Sequence, residues 1–240
     1  MVALAPAEDT EAADWIVAAL RTFAESVTSL VPEGYPAYVR VFHPAYREQE
    51  PLRWSDIASA NGRHAHAGMQ LCGLTGSYRF EREGQPGVYD RPPIEGSLPA
   101  EIRPSLAAVL SQHTTTPDRC WFAIWNGYGT NARREDVQRA PTFKVPGREY
   151  HLLRGPVESI YDEMLAPPWR QSANIWWADD HAWCVATEID LKTTYIACSE
   201  ACSDALIATD LEAMLIDPTT GISWKSDLLN PEPSPPGSEP

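Results

Sequence analysis

The sequence predicts an α+β fold, and three observations carry that expectation. Helical and strand-like hydrophobic periods are both present, but they do not alternate regularly as a doubly wound α/β chain requires. The block CWFAIW (120–125) is apolar on both faces of a strand, which marks a central strand covered on each side. No internal repeat and no linker interrupts residues 1–229, so they read as one globular domain with a mixed or mainly antiparallel sheet and flanking helices. The closing stretch, NPEPSPPGSEP (230–240), has too little apolar surface to order itself and reads as a disordered tail.

The elements follow from local chemistry. Thr10 is placed to cap a helix whose apolar positions Trp15, Ala18, Ala19, Phe23, Val27 and Leu30 recur at helical spacing. That helix should end near Val31-Pro32, because the residue before a proline is pushed out of the α region. After the turn signal PEGYP comes YVRVFH (38–43), rich in β-branched and aromatic residues and so a strand. WSDIASA (54–60) reads as a short helix closed by Asn61-Gly62. Residues 63–98 mix glycines, prolines and charges and predict short strands and loops.

A further helix is expected from Leu98 to Gln112, with Ile102, Leu106, Val109 and Leu110 on one side. The central strand 120–125 precedes a loop-like stretch, 126–146. REYHLLRG (148–155) predicts a strand, and a short helix at about 157–165 is ended by Pro167-Pro168. ANIWW (173–177) and HAWCVATEID (181–190) read as two more strands. A last helix is expected over Ser203–Met214.

Composition bounds the function. With 43% hydrophobic and 22% charged residues in 240, the chain has an ordinary globular make-up. A formal charge of −14 argues against nucleic acid as a partner, since phosphate binding needs clustered Lys and Arg. No apolar run approaches the roughly 18 residues a membrane span needs. The start, MVALAPAEDTEAADW, lacks the basic region of a signal peptide. Five cysteines, an odd number, fit a reducing compartment, so the expected localisation is cytoplasmic. Residues 155–240 carry fifteen acids against Arg170, Lys192 and Lys225, a net of −12, while 133–154 carry a net of +3. The basic segment reads either as an internal dock for the acidic part or as a solvated loop, the loop being simpler.

Motifs for chemistry are incomplete. His181-x-x-Cys184 with Cys198-x-x-x-Cys202 has loose zinc spacing, but strand periodicity sends His181 and Cys184 to opposite faces. His64 and His66 could share a strand face, yet no third ligand accompanies them. Gly73-Leu74-Thr75-Gly76-Ser77 does not match a nucleophile elbow. Gly127-Tyr128-Gly129-Thr130-Asn131-Ala132 resembles a dinucleotide turn, but the polar RREDVQRAP after it cannot bury a helix face against a sheet. The expectation is therefore no metal and no cofactor. Nine tryptophans read first as core. Within 181–190 the bulky odd positions Trp183, Val185, Thr187 and Ile189 should face the core. The small even positions Ala182, Cys184 and Ala186 admit a close neighbour.

The stretch NIWWADDHAWCVATEIDLKTTYIA, with YVRVFHPA, EGSLPAEI, TPDRCWFAIWNGYG and SWKSDLLNP, resembles a family of uncharacterised actinobacterial proteins. The resemblance covers most of the chain and implies no activity. The family pattern carries a proline and an arginine where this chain has Ala178 and His181, which weakens any role for His181.

The leading functional expectation is a non-enzymatic protein that binds a partner protein or a small ligand. Its surface should combine Trp176, Trp177, Asp179 and Asp180 with Glu188 and the basic Arg133 and Arg134. The alternative is a metal- or carboxylate-dependent hydrolase using Asp179, Asp180 and Glu188.

Overall fold

The computed structural model describes residues 4–129, 133–231 and 233. Its strands are Ala5–Pro6 (β1), Ala37–Phe42 (β2), Ala45–Arg47 (β3), Glu50–Leu52 (β4), Cys120–Trp125 (β5) and Thr142–Val145 (β6). Further on come Arg148–Gly155 (β7), Ile175–Ala178 (β8), Cys184–Ala186 (β9), Thr193–Cys198 (β10) and Ala213–Leu215 (β11). The α-helices are Asp14–Ala19 (α1), Trp54–Ala60 (α2), Leu71–Thr75 (α3), Arg103–Gln112 (α4), Glu135–Arg139 (α5) and Glu200–Ile207 (α6).

The fold is α+β. A nine-stranded antiparallel sheet runs in the order β1-β7-β5-β8-β9-β10-β2-β11, with β6 pairing β7 beside β1. β3 and β4 form a separate hairpin. The block 120–125 lies between β7 and β8, an interior position that explains its apolar character on both faces.

Two cores result from the strand period of two. On one face Phe122, Trp176, Val185, Ile196, Val39 and Val41 meet Leu106 and Leu110 of α4 and Leu206 of α6. On the other, Ala123, Trp177, Cys184, Tyr195 and Tyr38 meet Ile16 and Leu20 of α1 and the segment Val27–Val31. A third cluster, built on Phe42, Trp54, Ile57, Met69 and Tyr89, packs the excursion between β2 and α4. Trp54, Trp176, Trp177 and Trp183 are fully buried, so much of the tryptophan content is indeed core. The faces expected for 181–190 hold where the strand exists: Trp183 and Val185 enter the first core, and Cys184 and Ala186 the second.

Several elements differ from expectation, each for a tertiary reason. The helix predicted over 10–31 contracts to α1 after a 3-10 turn at Glu11–Ala13, and Thr10 makes no side-chain cap. Val27 and Thr28 donate instead to Thr220 O and Pro218 O, which draws that segment onto the C-terminal part. The last helix starts earlier, because Ser199 Oγ accepts from Cys202 N as its N-cap. Met214, expected in that helix, belongs to β11 and pairs with Arg40 of β2. The loop 126–146 contains α5 and β6. The turn at Val157–Tyr161 is 3-10, not α. TTYIAC (193–198), not anticipated, is a six-residue interior strand.

Most of the expected tail lies outside the described residues. Its first residue is ordered: Asn230 is buried and donates from Nδ2 to His64 O and Asp227 Oδ2. Thr130, Asn131 and Ala132 of the glycine phrase also lie outside the described residues. Among the described residues no helix is long and apolar enough to cross a membrane.

Candidate functional site

The turn joining β8 to β9 holds the aspartates singled out from the sequence, and their oxygens are already engaged. Asp179 accepts from Trp121 Nε1 at 2.9 Å and pairs with Arg119 at 3.4 Å. Asp180 accepts from Thr114 Oγ1 (2.7 Å), Thr115 N (2.6 Å), Thr115 Oγ1 (2.7 Å) and Ala182 N (3.1 Å). Burial alone would raise its pKa, but these donors outweigh burial and hold the carboxyl at about 2. The turn is a clasp between the 114–119 loop and the sheet.

Asp180→Ala is therefore expected to cost about 1–2 kcal/mol, measured by urea unfolding at pH 7. Because the folded pKa is depressed, the contribution is full above pH 4 and is lost as pH falls toward 2. The variant should converge on wild type in acid. A constant gap from pH 7 to pH 2 would contradict the clasp.

The residues expected to form one surface are separated. Trp176 and Trp177 point to opposite sheet faces and are fully buried, so neither frames an opening. The Asp179-Asp180 turn lies at the Cys120 end of β5, whereas Arg133 binds Asn126 O and Tyr128 O beyond the Trp125 end. Arg134 is held by Asp136 at 2.5 Å and donates to Glu163 O. Glu188 follows β9 while the two aspartates precede it, so the three acids proposed for hydrolysis stand at opposite ends of that strand.

The metal pattern also disperses, though not as periodicity implied. His181 lies in the turn rather than in a strand, with φ of 56°, and its ring stacks on Trp15 at 4.1 Å. Trp15 packs against the core that holds Cys184, so His181 and Cys184 share a side of the sheet, contrary to expectation. Cys198 and Cys202 are in the other core. His66 instead pairs with Asp227 at 2.9 Å, and His64 N donates to Asn230. Among the described residues no three His, Cys, Asp or Glu side chains converge to hold a metal ion.

Of the predicted residues, Glu188 lines an opening. Its carboxylate takes Arg148 Nη2 at 2.5 Å and Nε at 3.0 Å, and Arg148 also reaches Asp190 at 2.7 Å. Burial raises the Glu188 pKa, and the Arg148 guanidinium opposes that shift. Here a residue of the basic segment does dock internally on the acidic part. Glu188 and Asp190 line one side of a cleft of about 430 Å³. The floor comes from Arg40 of β2 and Thr193 of β10, and Trp54 and Tyr78 line its sides. Phe23 and Trp224, both close to half exposed, stand at its rim. Lys192, also buried, bridges Glu81 at 3.2 Å and Glu95 across the cleft.

Sequence reasoning passed over Arg40, although the signal was present. In YVRVFH, Tyr38, Arg40 and Phe42 share one face, and a charge between two aromatic residues of an interior strand is a core position occupied by a cation. Arg40 is 2% exposed. Searches of family models, curated proteins and solved structures found nothing that matches the chain.

Proposed function

We propose that the chain is a non-enzymatic protein that binds a small organic ligand in the cleft above Arg40 and Thr193. The observation carrying this reading is the construction of the cleft. About 430 Å³ is a typical volume for a small-molecule site, and here aromatic side chains surround a few fixed charges. Its walls come from segments far apart in sequence, which a rigid sheet floor holds in register. Trp224 meets Tyr78 edge-on at 5.0 Å, so a ligand entering there meets a preformed aromatic rim.

The hydrolase reading uses Asp179, Asp180 or Glu188 with a metal or water, and the placement of these acids on either side of β9, with the two aspartates engaged in the turn, does not favour it. A cytoplasmic setting belongs to the same proposal, supported by cysteines that are all free thiols. So does the kinship with actinobacterial proteins, supported by the motifs quoted above.

The test is a fluorescence titration with N-phenyl-1-naphthylamine, a neutral aromatic dye. Saturable one-to-one binding is expected, weakened roughly 2- to 10-fold by Trp224→Ala, in line with the loss of one aromatic contact. Trp224 is 48% exposed, so this variant should retain its fold. Absence of saturable binding, or equal affinity in the variant, would reject the cleft as the site.

A further inference from the structure

We infer that the ligand carries a carboxylate, and that Arg40 receives it across the unused edge of its guanidinium. The inference rests on the reading of the cleft as a ligand site and names the chemistry of the ligand.

Three cations are buried among the described residues: Arg40, Arg103 and Lys192. Arg103 pairs with Glu163 at 3.1 Å, and Lys192 is bridged by Glu81 and Glu95. Arg40 has no carboxylate within ion-pair distance among the described residues. A buried charge without a counter-charge is strongly unfavourable, and proteins rarely keep one. Asp227, an acid that acts on Arg40 electrostatically without pairing with it, is already engaged by His66, Gln70 N and Asn230.

The geometry of the guanidinium is more specific than its charge. Nη1 donates to Ala67 O and to Met69 O, both at 2.9 Å, which uses both of its hydrogens. The guanidinium carbon lies 4.7 Å from the Phe42 ring centre, 5.6 Å from Tyr195 and 5.7 Å from Trp54. These carbonyls and rings fix the group in place. What is left is the edge formed by Nε and Nη2. Nε is buried with no hydrogen-bond partner, and among the described residues both hydrogen bonds of the guanidinium are made by Nη1, none by Nη2. Two parallel N–H donors on one edge match the two oxygens of a carboxylate. That pairing would satisfy both the missing acceptors and the missing counter-charge in a single step.

A phosphate fits less well. It brings close to two negative charges, and Glu81, Glu95, Glu188 and Asp190 also line this cleft. Among the described residues that line the cleft, Lys192 already has acidic partners and Arg82 is exposed to water, so Arg40 is the buried cation left to meet a monoanion.

The experiment uses the full chain and competition against N-phenyl-1-naphthylamine. The competitors are 2-naphthoate, 2-naphthalenemethanol and 2-naphthyl phosphate, which share one ring system and differ in the head group. The naphthoate is expected to compete about tenfold or more better than the alcohol, as charge-assisted hydrogen bonds imply. It should also outcompete the phosphate. In wild-type protein labelled with ¹⁵N-arginine, naphthoate should shift the Arg40 Nε–H resonance while the alcohol leaves it in place. Arg40→Met should reduce naphthoate to the affinity of the alcohol.

If that variant does not fold, the wild-type resonance decides the matter alone. Equal competition by naphthoate and alcohol, a preference for the phosphate, or an unmoved Nε–H resonance would each overturn the assignment to a carboxylate. If the dye itself fails to bind, the ligand-site reading fails first, and the inference falls with it. Dye binding without carboxylate preference rejects the inference and leaves that reading intact.

Discussion

The Trp183→Ala variant is expected to lose about 3–5 kcal/mol of unfolding free energy, the usual cost of truncating a fully buried tryptophan. Trp183 is 0% exposed, directly before β9, and its indole sits edge-on to Trp176 at 5.0 Å. Trp176 in turn stacks on Phe122 of the central strand at 5.8 Å. Removing the indole therefore opens a void beneath α4 that close-packed neighbours cannot collapse to fill. It also removes a tether, because Trp183 Nε1 donates to Leu110 O at 3.0 Å near the end of α4.

Trp183→Phe separates these contributions. It keeps most of the apolar area and loses the hydrogen bond, so its expected cost is about 1–2 kcal/mol. Urea denaturation read by far-UV circular dichroism measures both. A domain of this kind has roughly 5–15 kcal/mol in total, so the alanine variant should unfold at much lower urea. A loss under about 1 kcal/mol would show that the core does not depend on this ring.

The second large effect is a fall in stability between pH 6.5 and pH 4 that traces to His43. This side chain is fully buried beside β10. Its Nδ1 lies 2.7 Å from Ile94 O and so must carry the proton it donates there. Nε2 then accepts from Thr194 Oγ1 at 2.9 Å, and Thr194 accepts in turn from Thr187 Oγ1 at 2.8 Å. The network suits the neutral ring. Burial is the largest cause that lowers the His43 pKa, to about 4, and the cations Lys192 and Arg40 act in the same direction.

The sign follows from proton uptake. Below pH 6.5 the unfolded chain protonates this histidine, and the folded chain resists doing so until about pH 4. Stability contributed by the neutral ring is thus full above pH 6.5 and declines as the pH falls through that window. The loss is on the order of 3 kcal/mol at about 1.4 kcal/mol per pH unit. His151 and His181 are also shifted downward by burial and add smaller losses of the same sign. Unfolding free energies at pH 7, 6 and 5 should fall steadily in wild type. In His43→Gln most of that slope should vanish, since an amide cannot take up the proton. An unchanged slope in the variant would assign the effect elsewhere.

Legibility of the fold followed the range of the forces involved. YVRVFH, CWFAIW and REYHLLRG were recognisable as strands because β-branched and aromatic side chains favour the extended backbone wherever they occur. WSDIASA was recognisable as a helix because Asn61-Gly62 ends it locally. The N-terminal helix was overextended because its periodicity continues through Val27 and Leu30, while hydrogen bonds to residues 218 and 220 decide the backbone there. The strand 181–190 was overextended for a similar reason: the aspartates form a turn stapled by Thr114 and Thr115, and His181 takes a positive φ.

The site divides the same way. Glu188 was found from the sequence, as an acid on a strand end, but its partner Arg148, at the start of a predicted strand, was not matched to any one acid. Arg40 stood in plain view within a predicted strand without drawing attention, because nothing local says whether a buried cation has a counter-charge. That depends on Ala67, Met69 and Asp227, which reach it through the excursion between β2 and α4 and through the C-terminal segment.

By itself, then, the sequence determined the fold class, the interior strands at 38–43, 120–125 and 148–155 and the tryptophan core, since side-chain period and propensity act within a few residues. Only the tertiary structure decided which charges are paired and which is left over. Pairing is set by contacts between segments separated by 40 residues (Arg148 and Glu188) to 161 residues (His66 and Asp227), and no local pattern encodes them.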